Sequence, residues 1–215
     1  MTLFRRWPGL LLAVGAGLLL AIALAWFRPL GARAVSPGLA ATIARDGAAP
    51  IIAPVGGDGP AVVTIVVFSD YRCAPCRRAH PALVRAVAAD GRVRVVAKEW
   101  PIFGPRSEAA ARVALAADRQ GRYAPVNDAL MREPRALSAP VLRETVRRAG
   151  GDGDRLARDL ARYGPAIDNQ LRTNAVQAQA LGLPGTPAYL AGRWLVVGAL
   201  DERGFRRLIA KARAD

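Results

Sequence analysis

Both cysteines of the chain fall within four residues, Cys73-Ala74-Pro75-Cys76, where the apolar run Val62-Val63-Thr64-Ile65-Val66-Val67-Phe68 gives way to helix-forming residues. Two thiols so spaced at a helix start suit disulfide exchange. The first helical turn presents unpaired N–H groups and the positive end of the dipole, which stabilise a thiolate, the form that attacks disulfides. Cys73 is the expected nucleophile and Cys76 its resolving partner. As a structural staple the pair would close a very short loop, worth about 2 kcal/mol by chain entropy against roughly 4.7 kcal/mol for a 100-residue loop. A structural zinc ion would need carboxylates among its ligands, because the chain offers two cysteines and one histidine. A Cu(I) site on the two thiolates stays open as a rival, with Met1 and Met131 the available thioethers.

The elements that must hold these thiols can be read along the chain. Val62 to Phe68 is β-branched and apolar throughout, as in a strand buried on both faces. Residues 74 to 89 follow as a helix with Leu83, Val84 and Val87 as its apolar stripe, and Arg92 to Ala97 alternates into a second strand, completing a right-handed βαβ unit. From Pro105 to Gly182 the chain is Ala-rich and helical, broken at Gly121, Pro134 to Ser138 and Gly150-Gly151, with Gly164-Pro165 separating the last two helices. Ser138 and Asp152 are expected N-caps. Ala188 to Ala191 and Trp194 to Val197 form a hairpin through Gly192-Arg193, and a helix over about Asp201 to Arg213 closes the chain.

His80, four residues after Cys76 and the only histidine, shares the face of the cysteines one to two turns deeper and is a candidate for proton transfer. Arg72, Arg77 and Arg78 are positive neighbours able to stabilise a thiolate, but a basic chain places arginines everywhere, so no catalytic role is assigned to them. Taken alone, Thr186-Pro187 is expected to be trans, because few X–Pro bonds in folded proteins are cis.

The order βαβ, helical insertion, ββα, with a CxxC motif opening the first helix, resembles the DsbA-like thiol:disulfide oxidoreductase family. The likeness is carried by Phe68 to Pro81 around the cysteines, by Lys98-Glu99-Trp100-Pro101-Ile102-Phe103-Gly104 at the strand exit, and by Gly182-Leu183-Pro184-Gly185-Thr186-Pro187-Ala188-Tyr189. It implies an α/β thioredoxin fold with an all-helical insertion, preceded here by an N-terminal transmembrane or signal segment. The implied division is residues 61–104 and 183–215 as the thioredoxin-like domain, 105–182 as the insertion, 35–60 as linker and entry segment, and 1–34 as anchor or signal. The resemblance also reverses the expectation for Thr186-Pro187, implying a cis bond that faces the CxxC motif and leaves the preceding backbone free to bind an extended substrate. Its remaining implications are cysteine-containing protein substrates, a membrane redox partner that resets the thiols, and no cofactor.

Two departures from the family bear on the chemistry. Ala-Pro stands between the cysteines where the strongest oxidants carry Pro-His, so a milder oxidising potential is expected. Val67 occupies the position six residues before Cys73 where many relatives carry a buried carboxylate. Glu99 on the neighbouring strand is the candidate to replace that group in proton transfer, against the plainer expectation of a salt-bridged or solvent-facing side chain.

Composition and charge set the surroundings. Gly9 to Phe27 is uncharged and flanked by Arg5-Arg6 and Arg28, as in a segment inserted in a bacterial inner membrane with the rest of the chain facing the periplasm. Ala32-Arg33-Ala34 has the small-x-small form of a processing site, and a cut at Ala34 would leave a free periplasmic protein. The length of the apolar run favours an uncleaved anchor. The formal charge is +14, but the basic residues are scattered among Asp and Glu without aromatic interleaving, so nucleic acid is not an expected partner. The absence of cysteine outside the motif fits an oxidising compartment.

Overall fold

Val63–Ser69 (β3) is buried along its length apart from Thr64, as a run of β-branched residues between two packed layers must be. It is the centre of a six-stranded sheet in a computed structural model that describes residues 31–53 and 63–215. Along the chain the described elements are β1 (Arg33–Ala34), α1 (Pro37–Ala44), β2 (Ile51–Ala53), β3, α2 (Ala74–Asp90), β4 (Val93–Glu99), α3 (Pro105–Asp118), α4 (Tyr123–Arg132), α5 (Ala139–Arg148), α6 (Gly153–Ala180), β5 (Ala188–Ala191), β6 (Trp194–Val197) and α7 (Glu202–Arg213). The strand order is β1-β6-β5-β3-β4-β2, with β3 and β4 parallel and every other pair antiparallel. Strands β3 and β4 run in register from Val63 opposite Val93 to Ser69 opposite Glu99, so both cross the sheet together and end at the CxxC motif.

One face of the sheet packs Val66, Phe68 and Val96 against Ile43 of α1 and Ala178 of α6. On the other, Ala97 joins a core with Cys76 and the helices α3 to α6, through Ala114, Val126, Leu130, Val146, Leu156 and Ile167. Among the described residues, those between β4 and β5 form helices and turns with no strand. The thioredoxin-like α/β architecture expected from the resemblance is present.

Three expectations are corrected or fall elsewhere. Of residues 35–60, read as linker and entry segment, the described part, 35–53, instead carries α1 and β2, with β1 beginning just before it, while 54–60 lie outside the described residues; β1 and β2 are the two outermost strands of the sheet. Prolines punctuate this structure without breaking it: Pro37 occupies the first turn of α1, where its missing N–H costs nothing, and Pro50 directly precedes an edge strand. Gly164-Pro165 does not separate two helices, for α6 runs unbroken through both. Pro165 removes one hydrogen bond from a helix that buries Leu156, Ile167, Asn174 and Ala178 on both sides of it, and that burial outweighs a local penalty of about 3 kcal/mol. The apolar segment 9–27 lies outside the described residues, among which no helix is long and apolar enough to cross a membrane.

Candidate functional site

The chain leaves β3 at Ser69 and turns through Asp70, Tyr71 and Arg72 into α2. Asp70 organises this turn. Its buried carboxylate accepts hydrogen bonds from the N–H of Arg72 at 2.7 Å, the N–H of Ile102 at 2.7 Å, the N–H of Phe103 at 3.2 Å and the hydroxyl of Ser107 at 2.8 Å. Strand exit β3, the exposed Ile102–Phe103 loop and the start of α3 thus share one anchor, and the Asp70 carbonyl accepts the N–H of Cys73 at 3.1 Å. Cys73 becomes the N-cap of α2 with extended backbone, φ −72° and ψ 109°, and its carbonyl accepts the N–H of Arg77 at 3.1 Å. A proline in the first turn suits this helix start, where no N–H partner is lost.

Both cysteines are free thiols and both are buried, Cys73 at 2% and Cys76 at 3% exposure, yet their surroundings differ. The Cys73 thiol lies against the half-buried Thr186 and donates to its carbonyl at 3.3 Å. The Thr186–Pro187 peptide bond is cis, as the family resemblance implied and against the reading from proline frequency alone. Cys76 turns inward to a cavity of about 10 Å³ lined also by Val67, Ser69, His80, Asn127 and Pro187. Burial pushes the Cys76 thiol pKa well above its ordinary value, and the hydrogen bond that this thiol donates to the neighbouring Cys73 sulfur adds to the shift.

His80 does reach the wall of this cavity, as its spacing predicted. Its Nε2, however, lies 2.8 Å from Asp128 Oδ1 on α4, and burial keeps the ring's pKa below the usual histidine value despite that carboxylate. Glu99 does not face solvent and has no salt-bridge partner among the described residues. It is buried, and its Oε1 accepts the hydroxyls of Tyr71 and Tyr123, each at 2.5 Å, while Asn127 Nδ2 donates to Tyr71 Oη at 2.9 Å. Burial raises the Glu99 pKa to about 8 against the opposing pull of the two tyrosine hydrogen bonds, with the charge of Asp70 reinforcing the rise. The basic neighbours do not point their charge at the thiols alone: Arg72 donates to the carbonyl of Phe103, and Arg77 to those of Tyr71, Leu130 and Glu133, capping the end of α4.

Sequence reading found Cys73, Cys76, Thr186, Pro187, His80 and Glu99, and the fold gathers all six around the start of α2 and the end of β4. It missed Ser69, Asp70, Tyr71, Tyr123 and Asn127. Asp70 carried a local signal, a short acceptor two residues ahead of an N–H it can cap in an Asx turn. Tyr123 and Asn127 carried none, since they meet Glu99 and Tyr71 only through folding of a distant helix. Among the described residues no three His, Cys, Asp or Glu side chains converge as metal ligands.

Comparison with known proteins agrees with this geometry. Residues 64–210 match the family model of the DSBA-like thioredoxin domain. The chain is similar to the crystal structure of a thioredoxin-like oxidoreductase from Silicibacter pomeroyi DSS-3, with 34% identity and a TM-score of 0.73 over 81% of this chain and 97% of that one. It is also similar to a periplasmic thioredoxin-like protein from Salmonella enterica serovar Typhimurium, at 25% identity and TM-score 0.69 over 85% of this chain and 100% of that one. The thiol-disulfide exchange protein alpha-DsbA2 from Wolbachia pipientis shares the fold, with TM-score 0.72 and 23% identity over 81% of this chain and 94% of that one. No curated protein sequence matches the chain.

Proposed function

The chain belongs to the DSBA-like thioredoxin domain family, and from that premise we propose that it is an extracytoplasmic oxidant that passes the Cys73–Cys76 disulfide to cysteines of extended protein substrates. A substrate thiolate attacks Cys73 and displaces Cys76, giving a mixed disulfide, and a second substrate cysteine then releases Cys73. In the reverse direction Cys73 attacks and Cys76 resolves. The observation that carries this assignment is the placement of Cys73 Sγ at 3.3 Å from the Thr186 carbonyl while Cys76 faces an internal cavity. An incoming chain lying along Thr186 and Pro187, paired by backbone in the manner of an added strand, would bring its sulfur to Cys73 first. We assign His80, with its ring bonded to Asp128, to shaping the cavity wall beside Cys76.

The extracytoplasmic location is supported by the apolar segment 9–27 with its arginine flanks and by the periplasmic description of the Salmonella relative. A membrane partner that reoxidises the pair belongs to the same proposal, as does tethering through residues 9–27. Two measurements test the function. Cys73→Ser should abolish disulfide transfer to a reduced peptide and Cys76→Ser should accumulate mixed disulfides; full transfer by both variants would overturn the exchange mechanism. Equilibration with glutathione should give a reduction potential nearer to roughly −120 mV than to roughly −270 mV, and the lower value would make the protein a reductant.

A further inference from the structure

Arg72 and the loop after β4 close a ring around the approach to Cys73. On one side the Cys73 thiol donates to the Thr186 carbonyl at 3.3 Å, and a side chain built at the adjoining Gly185 would meet Ile102 Cδ1 at 3.9 Å. On the other, the Arg72 guanidinium donates to the carbonyl of Phe103, the residue after Ile102. Asp70 fixes both sides at once, because its carboxylate accepts the N–H groups of Arg72, Ile102 and Phe103. The outward surface of this ring is apolar over Ile102 and Phe103, 40% and 46% exposed, and cationic at the exposed Arg72. A guanidinium carries several N–H donors in a rigid fork, so the bond to Phe103 orients the group and leaves other donors for a ligand.

Charge at this rim has one sign. Arg78 is exposed one turn of α2 beyond the exposed Ala74, and Arg106 is exposed in the first turn of α3. Arg72, Arg78 and Arg106 form no ion pair among the described residues. The nearby carboxylates are turned to other work. Asp70 is buried under its four donors, Glu133 is buried and paired with Arg135 and Arg148, and Asp128 bonds His80 and Arg132. Glu108 of α3 is exposed, but it lines a separate trough with Trp100, Asp168 and Leu171.

We propose that Arg72, seated on the Ile102–Phe103 loop, is a specificity-determining residue that reads an acidic side chain placed one or two residues from the substrate cysteine. The proposal deepens the exchange reading above and rests on it. An extended strand advances about 3.3 Å per residue. A chain with its sulfur at Cys73 and its backbone along Thr186 and Gly185 therefore carries a flanking side chain over Ile102 and Phe103. The methylenes of a glutamate would lie on those two apolar residues and its carboxylate would reach the guanidinium, a pairing that suits a planar fork. Arg78 and Arg106 extend the positive field and speed the encounter, while a lysine at the same substrate position would meet like charge.

The test is the second-order rate at which single-cysteine peptides open the Cys73–Cys76 disulfide of the full chain, each rate divided by that peptide's thiolate fraction. Glu, Gln or Lys stands one or two residues from the cysteine on either side, and both peptide ends are blocked so that this side chain holds the only varied charge. For at least one placement the Glu peptide should react about three to ten times faster than its Gln counterpart, and the Lys peptide more slowly than either. That ratio should fall toward one as sodium chloride rises from about 20 mM to about 1 M. Arg72→Ala should lower the Glu/Gln ratio about threefold, and Arg72→Glu should put the Lys peptide ahead of the Glu peptide. The ratio is the readout because damage to the fold would slow all three peptides alike. Arg158→Ala, at an exposed position of α6, should leave it unmoved. A parent ratio of one or less at every placement, an Arg72→Glu ratio equal to the parent's, or an equal loss in Arg158→Ala would each overturn the subsite and leave the exchange reading standing. A disulfide inert to all three peptides would overturn both.

Discussion

Asp70 shows how much of this site depends on a side chain that performs no chemistry. Its buried carboxylate collects three N–H groups and a hydroxyl from three separate stretches of chain. Replacing it by alanine would strand those donors, and Asp70→Ala is expected to lower unfolding free energy by about 2–4 kcal/mol. Asp70→Asn, which keeps one acceptor oxygen, should lose about half of that. Urea unfolding checks both, with an unchanged m-value showing that the loss lies in the folded state. Because the exposed Ile102–Phe103 loop is held by two of the four bonds, faster amide exchange at those two residues should accompany the alanine variant.

At the scale of elements, the segment before β3 is tied in by a buried ion pair. Lys98 on β4 is fully enclosed and bonds Asp46, which also accepts from Gln170 at 3.2 Å and Gln177 at 3.4 Å on α6. Burial works against the charge on both partners, yet the Lys98 contact holds the Asp46 pKa below its ordinary value. Asp46→Ala would leave an ammonium group buried alone and is expected to cost about 3–5 kcal/mol, while Asp46→Leu with Lys98→Met should regain most of that in thermal unfolding. None of this pairing was legible in the sequence, since Asp46 stands in a Gly-Ala-Pro stretch and Lys98 lies 52 residues further on, beside Glu99 at the end of a strand. The strands β3 to β6, the helices α2 and α7 and both thiols were legible, because period, composition and CxxC spacing are local signals. α1 was not, because Ile43 and Ala40 make a helix of that stretch only against the sheet. The continuity of α6 through Pro165 and the tyrosine pair on Glu99 failed to show for the same reason: each is decided by contacts between residues distant in the chain.

Over the whole molecule, the buried carboxyl of Glu99 makes stability depend on pH. The folded chain keeps its proton up to about pH 8, whereas an unfolded chain releases it near 4.5. The native state therefore binds more protons in that window, and this group's contribution falls as pH rises, by at most about 1.4 kcal/mol per pH unit. Glu99→Gln removes the dependence, so its melting temperature should rise relative to the parent's between pH 5 and pH 8; parallel curves would show that Glu99 does not titrate there. The sheet that carries this carboxyl is sealed at one rim by Arg33–Ala34, which pairs with Trp194 and Leu195 while Val35 N–H bonds the Arg193 carbonyl at 2.8 Å. A peptidase cutting after Ala34 would carry that rim away with the leader. The mature chain would then begin at Val35 with a naked ladder of amides and carbonyls along β6, ready to be filled by a neighbouring polypeptide.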